Sequence, residues 1–133
     1  MDNLLGEIAL ANGMKVRFID NTRRYFGDFY LVTVEIRCEV PILPEYFDTI
    51  SIFNEVKSHW GETIVHLRKV QQMGVPSAQV SQVTERLIAN FEQHSLPYLI
   101  LATMPKKLVL SEINKSKKKR GFYPVHALNN LHA

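Results

Sequence analysis

The sequence predicts an α+β fold, an antiparallel sheet of three to four strands packed by two to three helices. Three observations carry that prediction. Residues 14–18 and 29–40 alternate apolar and polar side chains, the period of strands buried on one face. Residues 77–96 carry apolar side chains at helical spacing. Turn residues separate these segments.

Taken in order, Met14-Lys-Val-Arg-Phe18 reads as a strand, and Asn12-Gly13 before it is a hairpin turn signal. Glu7 to Ala11 is then its partner. Asp20 to Asp28 has loop chemistry. In Phe29 to Val40, Val32, Val34, Ile36, Cys38 and Val40 share one face, while Thr33, Glu35, Arg37 and Glu39 share the other. Lys15 and Arg17 are expected to face Glu35 and Glu39 across the outer side of the sheet, where opposite charges contribute about 0.2–1 kcal/mol per pair. Pro41 and Pro44 end the strand.

Phe47, Ile50 and Phe53 recur near helical spacing, so a helix is expected over about 45–59, with Gly61 as its stop. Residues 62–73 fit neither period cleanly. Thr63, Ile64 and Val65 favour a fourth strand over 62–70, with a helix as the alternative. Val80, Val83, Leu87, Ile88 and Phe91 form the apolar stripe of a helix over 77–96, with Ser77 as its cap and Pro97 as its end or kink. A third helix is expected over 105–118, docked through Val109 and Ile113 and fraying where the cations begin.

The chain of 133 residues suits a single domain, 1–121, followed by a C-terminal tail, 122–133. A hydrophobic share of 46% is enough for a core that needs no disulfide or metal staple. The lone cysteine, Cys38, fits a reducing compartment. Residues 1–12 hold Asp2 and Glu7 and no basic stretch leading into an apolar run, so no signal peptide is expected. The apolar stretch Leu96–Met104 falls far short of the roughly 20 residues of a membrane span. A cytoplasmic location is therefore expected.

The net charge of +3 is unevenly spread. Lys106 to Arg120 holds seven basic residues and one acid, a net +6, against nine basic and twelve acidic residues elsewhere, a net −3. Basicity is local to one segment. Lys115, Lys117, Lys118, Lys119 and Arg120 are the candidate contacts to nucleic acid or another anionic partner. Phe122 and Tyr123 follow and could stack on bases. Phe122, Tyr123, Val125, Leu128 and Leu131 make the tail apolar enough to dock on its own domain or on a second copy, giving a homo-oligomer.

Other chemistries find little support. Cys38 lies mid-strand on the apolar face, where a thiol is inert. His59, His66, His94, His126 and His132 form no ligand pair at helical spacing, so neither metal nor cofactor is expected. No glycine-rich phosphate loop occurs. The expected function is a non-enzymatic binding or interaction module. The alternative is a small enzyme or ligand-binding domain whose site is assembled from the 20–28 loop, His59 and His66. In that loop Asp20 and Asp28 flank Arg23, Arg24 and Tyr25, a combination suited to an anion or a partner.

Overall fold

A computed structural model describes the backbone of residues 3–120 and the side chains of residues 3–116. The 122–133 tail, and any oligomer made through it, lie outside the described residues. The chain runs β1 (Leu4–Ala9), β2 (Lys15–Asp20), β3 (Arg23–Phe26), β4 (Phe29–Pro41), α1 (Ile50–Trp60), β5 (Thr63–Pro76), α2 (Val80–His94), α3 (Leu96–Leu99) and α4 (Met104–Arg120). This is the expected α+β architecture, an antiparallel sheet with helices packed on it. None of these helices is long and apolar enough to cross a membrane.

The 13-residue β4 is the spine of the sheet. One edge pairs first with β3, from Phe26↔Phe29 to Arg23↔Leu31, and then with β2, from Asp20↔Val34 to Lys15↔Glu39. β1 pairs with the far side of β2. The other edge of β4 pairs with β5 from Phe29↔Pro76 to Pro41↔Thr63. Thus β2 and β3 follow one another along a single edge, with a step at Asn21 and Thr22.

Alternation along β4 decides which face is covered. Val32, Val34, Ile36, Cys38 and Val40 are fully buried, together with Val16, Phe18 and Ile64 on the flanking strands. The helices bring Ile52, Val56, Val83, Phe91, Val109 and Ile113 onto that face. Phe18 and Phe91 meet edge to face, 5.7 Å between ring centres. Burying each such side chain stabilises the fold by about 1.5–3 kcal/mol. Among the described residues, no helix packs on the opposite face of the sheet.

The turns follow their sequence signals. Gly13 adopts a φ of +94°, and Asn12 Oδ1 accepts the Met14 N–H at 3.2 Å. Asn12 Nδ2 also donates to the carbonyls of Leu99 and Leu101, at 2.7 and 2.9 Å, tying the hairpin to the C-terminal end of α3. Thr49 caps α1, its hydroxyl accepting the Ile52 N–H at 3.2 Å. The expected strand after Gly61 forms, and it runs on through Pro76. Its pairing with β4 shifts register between Tyr30 and Val32, next to Gly74 at a φ of +70°.

Four expectations need correcting. The 20–28 loop contains the short strand β3, because Arg23–Phe26 folds back on β4 around Gly27, at a φ of +53°. The helix expected from residue 45 begins at Ile50, since Pro44–Tyr46 closes only a 3₁₀ turn. Ser77 does not cap α2; it opens another 3₁₀ turn, and the helix ends at His94, before Pro97. Finally, α4 does not fray at the cations: its backbone is helical through Arg120.

Candidate functional site

The uncovered face of the sheet divides into two parts. Around β1, β2 and the middle of β4, the charges satisfy one another. Arg17 Nη1 meets Glu39 at 2.9 Å, Lys15 meets Glu7 at 3.4 Å, and Arg37 Nε donates to Glu35 at 2.7 Å. Glu7 also lies 3.4 Å from Arg17 Nε. The expected role of Lys15, Arg17, Glu35 and Glu39 as paired charges of a wet sheet face holds. The register is more mixed, since Lys15 faces Glu39 but Arg17 faces Arg37 and Ile19 faces Glu35.

The second part lies where β2 gives way to β3. Asp20 Oδ1 accepts the Thr22 N–H at 2.9 Å, turning the chain. The Asn21 N–H then donates to the Thr33 carbonyl at 2.9 Å, and Thr22 Oγ1 accepts the Thr33 N–H at 3.2 Å. These bonds replace the missing ladder, so β4 keeps its backbone partners while the edge steps aside. The step opens a depression of about 330 Å³, lined by Asn21, Arg23, Leu31, Thr33, Lys69 and Gln71.

The floor of this cleft is ordered. Thr33 is buried, and its hydroxyl donates to Gln71 Oε1 at 3.2 Å; among the described residues the Gln71 amide N–H groups have no partner. Arg23 and Lys69 stand on opposite walls. Among the described residues neither meets a carboxylate, and no acid lines the cleft. Glu35, directly across from Lys69 in the sheet, is held by Arg37 instead. Two basic side chains and neutral amide donors facing a concave surface suit an oxyanion.

A second depression, about 560 Å³, opens between Leu5 and Asp20 on one side and Val80, Thr84 and Ile88 of α2 on the other. Its titratable groups are acids, Asp20 and Glu85, and Asp20 is already engaged with Thr22.

The histidines do not join the loop. His66 lies on the covered face, where its Nδ1–H donates to Glu112 Oε2 of α4 at 2.6 Å. Lys115 reaches the same carboxylate at 3.0 Å. Burial pushes the Glu112 carboxyl up, but the hydrogen bonds and charges of His66 and Lys115 outweigh it and hold the group below its ordinary range. His66 pairs with Cys38, whereas Arg24 pairs with Tyr30. Eight residues of β4 separate those positions, roughly 26 Å at the rise of a strand. His59, in the last turn of α1, does not line the cleft either. A composite site of the 20–28 loop with His59 and His66 is therefore not assembled.

Cys38, His66 and Glu112 do fall in one row, the composition of a nucleophilic relay. Attack by such a row requires thiolate, which burial disfavours here. Burial pushes the Cys38 thiol up to about 11, with the Arg68 charge pulling weakly the other way. The row instead fastens α4 to the sheet. Among the described residues no group of three or more His, Cys, Asp or Glu is placed to hold a metal ion.

Of the cations singled out in the sequence, Lys115 is exposed and bonded to Glu112. Lys117, Lys118, Lys119 and Arg120 have helical backbone, and their side chains lie outside the described residues. The loop cation Arg23 is placed in the cleft. Sequence reasoning placed Thr33 on the outward face but missed Lys69 and Gln71, because β5 does not alternate cleanly: Val65 and Leu67 are exposed, while His66 and Arg68 share the covered side with Ile64. Comparisons with protein-family models, curated proteins and solved structures found no match.

Proposed function

We propose that this chain is a binding module whose working surface is the cleft between Arg23 and Lys69, and that it takes the anionic group of a ligand there. One observation carries the reading. Every acid on the uncovered sheet face near these residues is paired with another cation, while Arg23 and Lys69 flank a concave site with no acid of their own. Leaving two cations without partners is a poor use of charge for stability and a good one for recognition.

Inorganic polyphosphate, titrated at low salt, tests this. Arg23→Ala and Lys69→Ala should each weaken binding by about tenfold, in the range for hydrogen bonds to charged groups. Affinity should fall as salt rises. Unaltered binding by the double variant would refute the cleft.

A second reading places nucleic-acid contacts at Lys115, Lys117, Lys118, Lys119 and Arg120. The continuous helical backbone of α4 favours it, because cations on a formed helix hold a fixed spacing. The variant Lys117→Gln/Lys118→Gln/Lys119→Gln/Arg120→Gln leaves the cleft untouched and separates the two readings.

A further inference from the structure

Beside the cleft, the β3–β4 hairpin presents a row of aromatic residues to solvent. Phe26 is 73% exposed, Tyr25 47% and Phe29 43%. Exposure of this kind is costly for large apolar groups and marks interaction sites when it is contiguous. The register makes it contiguous here. Phe29 is two residues from Leu31, so the two share a face of β4, and Leu31 lines the cleft. Phe26 pairs directly with Phe29, and Arg23 with Leu31. Arg23, Phe26 and Phe29 therefore lie along one strip of the uncovered face. Arg23 and Phe26 are three residues apart, roughly 10 Å along the strand. Among the described residues neither phenylalanine is in a ring–ring contact. The bulge between Arg24 and Phe26 swings Tyr25 out of alternation, toward Gly74.

We propose that the ligand is a single-stranded nucleic acid, with phosphates held at Arg23 and Lys69 and bases stacked on Phe26 and Phe29. This rests on the cleft being an anion site. A cationic groove for the backbone beside aromatic faces for the bases is the arrangement that sequence-tolerant single-strand binding uses. The charge balance selects this partner: Arg23 and Lys69 border the strip, and the only acid of the hairpin segment 23–31 is Asp28, at the turn. The interior of a duplex would not serve, because stacking on both sides leaves its bases no free faces.

The test compares three ligands by fluorescence anisotropy on the full chain at low salt: a labelled oligothymidylate of twelve nucleotides, an abasic phosphodiester of the same length, and vesicles rich in phosphatidylserine. The oligothymidylate should bind about tenfold or more tighter than the abasic chain, given the size of base–aromatic stacking. Phe26→Ala/Phe29→Ala should erase that preference and leave abasic binding unchanged, with an unaltered circular dichroism spectrum because both rings are exposed. Arg23→Ala/Lys69→Ala should weaken both ligands. Equal binding of the two chains, lost in the cationic variant, would overturn the base-stacking proposal and leave the anion site standing. No binding of either would overturn both. A base preference that survives Phe26→Ala/Phe29→Ala would overturn the assignment to this hairpin. Vesicle binding that depends on Phe26, without oligothymidylate binding, would overturn it in favour of a membrane surface.

Discussion

Cys38 shows how one position can look reactive and be structural. It pairs across the sheet with His66, which in turn holds Glu112. Burial keeps the proton on the thiol, so folded protein should resist iodoacetamide at pH 8 and react fully once denatured. Rapid labelling of the folded chain would contradict this. Glu112 gives a pH-dependent counterpart. Its folded-state value lies below the ordinary 4.5, so the stabilisation by His66 and Lys115 is present above that pH and is lost as pH falls through the folded value. Glu112→Gln should therefore lower the urea midpoint at pH 7 and have much less effect at pH 3. An equal loss at both pH values would contradict an ionised Glu112. The Cys38 environment was legible in the sequence, because alternation alone placed it among Ile36 and Val40. Its alignment with Glu112 was not, since that depends on how α4 docks.

At the scale of elements, the strong periodic segments were legible and the short ones were not. β4 and α2 announce themselves because one face of each is apolar throughout. β3 does not, as its Arg-Arg-Tyr-Phe has no apolar face and all four residues are exposed. It is a strand only because Gly27 turns it back onto an existing edge. The start of α1 was misplaced because Phe47 mimics helical spacing while the chain is still in a turn; Thr49 sets the real boundary. Thr49→Ala should cost about 1 kcal/mol in chemical denaturation. Ile36→Ala, at the centre of the covered face, should cost about 2–5 kcal/mol. If the cap proved the costlier of the two, β4 would not be the spine of the core.

For the whole molecule, charge distribution was legible in part. Counting charges along the chain located basicity at Lys106–Arg120, but a count is blind to cations made neighbours by folding. Arg23 and Lys69 come from strands 46 positions apart and meet across the same depression. The loop containing Arg23 was recognisable as an anion-binding candidate; its partner from β5 was not. The sheet thus has one covered face, which supplies stability, and one open face whose charges are partly self-neutralised. The most direct test is to titrate polyphosphate into isotopically labelled protein and follow backbone amide shifts. The account predicts concerted shifts at Asn21, Arg23, Thr33, Lys69 and Gln71. Shifts confined to residues 114–120, with the cleft amides unmoved, would contradict it.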